Sequence, residues 1–152
     1  MVDDIKNLNA NFKLFLSLII FIIPLFFFKD LMVNKIYSEI INKHFLLKEL
    51  SYPITILCLL LLINAVNLSD GINGLTCGTV CIWSFFLTIY SSGIEKSFFL
   101  FLAFILFINS IYIFRGKYFL GNTGSLFLGS IIGLSTIYRY NFNYFIGNQF
   151  GI

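Results

Sequence analysis

Charge is what this sequence lacks most. Only 11% of its 152 residues are Asp, Glu, Lys or Arg, against roughly a quarter in an ordinary soluble domain. A water-facing surface cannot be built from so few charges. Hydrophobic residues reach 59% and mean hydropathy is +0.92, and the apolar residues lie in long blocks, which points to lipid as the solvent. The net charge of +3 is too small and too scattered to favour nucleic acid. Three cysteines exclude a disulfide framework. Cys77 and Cys81 share a helix face, yet no His or further Cys joins them, so packing is expected rather than metal binding. The one histidine, His44, reads as a solvated loop residue. A cleavable signal is not expected either, because Asp3 and Asp4 stand where a secretory leader would be basic.

Phenylalanine is what the chain has in excess, with 20 copies. A lipid-facing surface explains them better than stacking platforms for bases or sugars. Five apolar blocks can be marked: Leu14–Phe28 with Pro24 inside it, Pro53–Val66, Leu75–Tyr90, Ser97–Phe114 and Leu126–Tyr138. The expected fold is therefore all-α, a polytopic transmembrane bundle of about five spans. Residues 29–51 and 91–96 read as loops on one side of the membrane. The polar segments 2–13, 67–74 and 115–125 fall on the other, because two crossings separate each from the next. Asp3, Asp4, Asp70 and Asn122 thus face one compartment. Loop charge weakly favours placing that compartment outside.

The polar residues of these three segments suit one another chemically. Adjacent carboxylates such as Asp3 and Asp4 repel unless a cation or proton is shared. Mg²⁺ takes such oxygen ligands and is often completed by substrate phosphates. Asn64 and Asn67 lie three apart at the end of a span, where amides are costly unless they are hydrogen-bonded or line a wet cavity. Gly71 and Gly74 then turn the chain and leave N–H groups open to an anion. The stretch Gly121-Asn-Thr-Gly-Ser125 opens another helix, with Thr123 or Ser125 as a capping residue. Arg115 and Lys117 stand just before it, placed to hold a diphosphate. A frayed terminus, an Asx-capped turn and a small-residue packing turn are the structural alternatives for the three segments.

Val2-Asp-Asp-Ile-Lys-Asn-Leu8, Asn64-Ala-Val-Asn-Leu-Ser-Asp-Gly-Ile-Asn-Gly-Leu75 and Phe119-Leu-Gly-Asn-Thr-Gly-Ser-Leu-Phe-Leu-Gly129 resemble, in order and in spacing, three motifs of the polyprenyl-phosphate N-acetylhexosamine-1-phosphate transferases, the MraY/WecA group of glycosyl transferase family 4. The resemblance implies transfer of a HexNAc-1-phosphate from a UDP-sugar to a membrane polyprenyl phosphate. It implies Mg²⁺, with Mn²⁺ as a substitute, and a site on the cytosolic face of the inner membrane, against the loop-charge count. Asp3 and Asp4 match a pair linked to Mg²⁺ binding or to activation of the lipid phosphate. Asp70 joins them as a catalytic candidate. Asn64, Asn67 and Asn73 match the nucleotide-sugar site, where many members have Asp at the position of Asn73, and Arg115 and Lys117 stand beside it. Asn122 stands where the family usually has a metal-binding aspartate. It offers Mg²⁺ a carbonyl oxygen but no charge, which implies weaker metal binding.

The chain as a whole resembles the central part of a larger transferase with more spans, so it is expected to show little or no transfer alone. Implied partners are polyprenyl phosphate, a UDP-N-acetylhexosamine and the bilayer, with a homodimer as an allowed assembly. The forms Asp-Asp-Ile-Lys-Asn-Leu and Gly-Asn-Thr-Gly lean toward surface-glycan synthesis over the peptidoglycan branch. A non-catalytic remnant that keeps the fold is the second reading. A solute carrier ranks last, because it would want polar residues near mid-bilayer.

The parity of crossings is testable in intact cells. In a background with the native cysteines replaced, Asp4→Cys, Asp70→Cys and Asn122→Cys are expected to share one accessibility to an impermeant thiol reagent. Glu39→Cys and Glu95→Cys are expected to show the opposite one. A split among the first three would break the convergence.

Overall fold

The computed structural model describes residues 19, 22–38, 40, 43–70 and 74–147. Asp3, Asp4 and Asn73 lie outside these. The described chain is mainly helical. A helical run over 22–27 is followed by a two-stranded antiparallel hairpin, β1 (Lys35–Ser38) and β2 (Lys43–Leu46). Four helices then complete it: α1 (Ser51–Ser69), α2 (Leu75–Tyr90), α3 (Gly93–Phe114) and α4 (Gly121–Gly147).

Among the described residues, two helical stretches are long and apolar enough to cross a bilayer, Lys48–Ser69 and Gly93–Phe114, with mean hydropathies of 1.9 and 2.3. At 1.5 Å per residue, α3 is about 33 Å long, close to the ~30 Å of a hydrocarbon core. α2 is shorter, about 24 Å by the same rise, and equally apolar in character. The architecture is an all-α membrane fold. Its helices begin earlier than the apolar blocks suggest: α3 takes in Glu95 and Lys96, and α4 takes in the turn at Gly121.

The chain divides into two compact units. In the first, Leu62–Gly133, α2 buries Thr76, Cys77, Val80, Ser84, Leu87 and Thr88, which fall on one helical face. α3 presents a matching stripe of Phe99, Ala103, Leu106 and Ile113. Cys77, Val80 and Leu87 of α2 and Phe99, Leu106 and Ile113 of α3 join Val66, Leu128 and Ile132 in one apolar core. Cys77 is packed within it and Cys81 donates its thiol to Ala103 O at 3.2 Å, so both cysteines pack as expected. Phe98, Phe101, Phe104 and Phe107 point outward from α3, with Phe101 63% exposed. Such a surface is unfavourable in water and is what acyl chains cover.

Hydroxyl groups inside the helices are satisfied by the preceding turn. Ser84 Oγ donates to Val80 O at 2.8 Å and Thr88 Oγ1 to Ser84 O at 2.9 Å, the usual solution where water is absent. Close approach of α1 and α4 needs Gly129: a Cβ there would lie 3.3 Å from both Ile63 Cα and Val66 Cβ.

The second unit holds the described chain up to Leu61 and from Leu134 on. Residues 29–51, read from sequence as a loop, contain the hairpin, and His44 lies on β2 with its ring 4.9 Å from that of Tyr37. Ser51 Oγ donates to Val33 O at 2.8 Å, and Val33 N–H donates to Thr55 Oγ1 at 3.0 Å. Asn141 Nδ2 donates to both Asp30 O and Met32 O at 2.7 Å. Arg139 is helical and only 6% exposed, with its guanidinium 5.4 Å from the Phe142 ring centre. α4 continues past the last apolar run to Gly147.

Replacing Gly129 with Leu forces α1 and α4 apart. Overpacking of this kind costs about 1–3 kcal/mol, so the thermal midpoint of Gly129→Leu in detergent is expected to fall by several degrees. A midpoint equal to wild type would show slack at that contact.

Candidate functional site

All of the site geometry described below belongs to the first unit. α1 ends at Ser69, and its last turns carry the half-buried Asn64 and Asn67. Short bonds hold its last turn. Ser69 Oγ donates to Val66 O at 2.7 Å and lies 2.7 Å from Thr76 Oγ1, so the end of α1 is fastened to the start of α2. Gly74 begins α2 with φ of +79°, a left-handed backbone that glycine adopts without strain. A Cβ at Gly74 would also stand 3.3 Å from Ser110 O, so Gly74 rests on the last turns of α3.

α3 closes with a Schellman motif around Gly116, whose φ is +69°. Gly116 N–H donates to Ile113 O at 2.8 Å and Lys117 N–H to Tyr112 O at 3.2 Å, which satisfies carbonyls the helix end would leave open. Lys117 Nζ sits 5.1 Å from the Tyr112 ring centre, a cation–π contact. Tyr118 Oη donates to Asn109 Oδ1. The chain thus runs directly from α3 into α4 with Arg115 and Lys117 exposed.

Two links then join the motif segments. Ser125, which is 0% exposed, donates from Oγ to Asn67 Oδ1 at 2.7 Å. The Gly121 N–H, at the open N-terminal end of α4, donates to the Asp70 carboxyl. The sequence expectation that segments 67–74 and 115–125 converge is met by these contacts. The expected capping role of Ser125 is not met: it lies inside the first turns of α4, and its hydroxyl reaches across to α1. That cross-helix role carried no local sequence signal.

Burial pushes the Asp70 carboxyl above the ordinary carboxylate value, and the Gly121 N–H partly offsets this. A partly desolvated carboxylate beside half-buried amides is hard-oxygen chemistry that suits a divalent cation or a hydrated anion–metal complex. Among the described residues, no group of three His, Cys, Asp or Glu side chains is clustered for a metal.

A family model, glycosyl transferase family 4, matches residues 1–140. The chain belongs to glycosyl transferase family 4. It is 35% identical over 85 residues to a phospho-N-acetylmuramoyl-pentapeptide-transferase of Caldicellulosiruptor bescii, a match covering 56% of this chain and 27% of that protein. The chain therefore spans well under two thirds of the length of this relative. No solved structure matches it.

The raised pKa of Asp70 fixes the sign of a pH effect. The folded state holds the Asp70 proton more tightly than the unfolded state, so this contribution to stability is present at low pH. It is lost as pH rises from the ordinary carboxylate range through the raised value. With chelator present, wild type is expected to lose thermal midpoint relative to Asp70→Asn across that window. Parallel midpoint curves would show that Asp70 is not desolvated.

Proposed function

We propose that this chain carries the donor-binding face of a sugar-1-phosphate transferase. The reaction moves a HexNAc-1-phosphate from a UDP-sugar to polyprenyl phosphate, releases UMP and leaves a lipid-linked diphosphate sugar for cell-envelope polysaccharide. The observation that carries this reading is the joining of two polar segments at one end of an apolar bundle, Asp70 to Gly121 and Asn67 to Ser125. A site at a membrane boundary lets a water-soluble donor meet a lipid acceptor.

Each residue then has a chemical task. The amides of Asn64, Asn67 and Asn73 offer paired donors and acceptors to a nucleotide sugar. Arg115 and Lys117, exposed at the mouth of the α3–α4 turn, offer positive charge to the diphosphate. Asp3, Asp4 and Asn122 supply oxygen ligands for Mg²⁺, or Mn²⁺ in its place, and Asp70 is a catalytic carboxylate. When bound, the cation neutralises charge on the diphosphate. The reading places these segments on the cytosolic face of the inner membrane, where nucleotide sugars are made.

UDP-GlcNAc is the donor suggested by the surface-glycan character of the motifs. UDP-MurNAc-pentapeptide is the second reading, favoured by the relative from Caldicellulosiruptor bescii. Binding of each donor to the purified protein with and without Mg²⁺ distinguishes them. Metal-dependent binding of one supports the function, and binding of neither overturns it.

The metal assignment has its own test. Asn122→Asp adds a charge to the ligand set, and a charge-assisted contact is worth about 1.5–3 kcal/mol. Mn²⁺ affinity is expected to rise roughly tenfold or more. The gain should vanish when Asp3 and Asp4 are both changed to Ala. Equal affinities in wild type and Asn122→Asp would remove Asn122 from the site.

A further inference from the structure

We propose that Ser125 is a positioning residue that orients Asn67 for the nucleotide-sugar donor; this rests on the function proposed above. Ser125 is fully buried and so does not itself meet a ligand. Its one hydroxyl proton is within reach of three acceptors: Asn67 Oδ1 at 2.7 Å, Asn122 O at 3.0 Å and Gly121 O at 3.3 Å. The last two are the backbone acceptors that a serine in a helix ordinarily uses. The shortest contact goes instead to the side chain of another helix, 58 residues away in sequence.

The consequence falls on Asn67. A carboxamide is planar, with one acceptor oxygen and one group carrying two N–H donors. Once Oδ1 is held by Ser125, the Nδ2 branch lies on the other side of Cγ. Asn67 is only half-buried, so that branch is available to an acceptor oxygen of the donor's phosphate, uracil or N-acetyl group. Without Ser125 the amide loses the contact that fixes its rotation, and both orientations become open to it. A ligand must then order the amide on binding, which costs affinity. The bond from Gly121 to Asp70 fixes the same two segments beside it, so the first turn of α4 sets two side chains of the α1 end at once.

The test is a double-mutant cycle on binding of UDP-GlcNAc, or UDP-MurNAc-pentapeptide if that is the donor bound, with Mg²⁺ present. Thermal midpoints establish that each variant is folded. Ser125→Ala is expected to weaken binding about three- to tenfold, the range for loss of one neutral hydrogen bond. Asn67→Ala is expected to weaken it at least as much. In the Asn67→Ala background, Ser125→Ala should have no further effect, because its action passes through that amide. A Ser125→Ala protein that binds like wild type, while Asn67→Ala does not, overturns the positioning role and leaves the proposed function standing. An equal additional loss in the Asn67→Ala background also overturns it, by showing a general structural effect. Absence of donor binding by the wild type overturns the proposed function and this inference together.

Discussion

A polar group in a chain this apolar is costly unless the protein itself satisfies it, and that constraint shapes both compact units. In hydrocarbon an unpaired N–H or hydroxyl costs several kcal/mol. Hydroxyls along α2 therefore bond back to their own helix, and the α3 terminus closes its carbonyls around Gly116. Where groups bond to another part of the chain instead, they hold the structure together: Ser125 to Asn67 in one unit, and Asn141 to the backbone of residues 30 and 32 in the other.

The same economy explains why the candidate site sits at a helix boundary. Asp70 follows the last residue of α1, and Gly121 is the first of α4. The open N–H groups of a helix start favour negative charge, and Asp70 supplies it. Glycine is needed at Gly74 and Gly129 for different reasons, backbone angle at the first and close helix approach at the second. Changing the protein at either place would move the polar segments without touching a polar residue.

Much of this was legible in the residues. The block pattern of Phe, Ile and Leu showed the membrane fold, since lipid imposes length and apolarity directly on a helix. The motifs around Asp70 and Asn122 pointed to the family that the match over residues 1–140 shows. Less legible were the ends of elements. Glu95 and Lys96 look like loop charges, yet both are helical, because charged residues near a helix end can reach the interface. The hairpin at residues 35–46 was missed because its strands are only four residues each.

By itself, then, the sequence determined the solvent, the helical class and the identity of the polar residues, because each of these follows from composition and from local spacing. Tertiary structure alone decided which of those residues meet. Ser125 reads as a cap from its neighbours, but its hydroxyl bonds to Asn67 on another helix. Asp70 reads as a turn residue, but its carboxyl is held by Gly121. Both contacts join positions more than fifty residues apart, and the packing of α1 against α4 at Gly129 brings them within hydrogen-bonding reach, which no local pattern encodes.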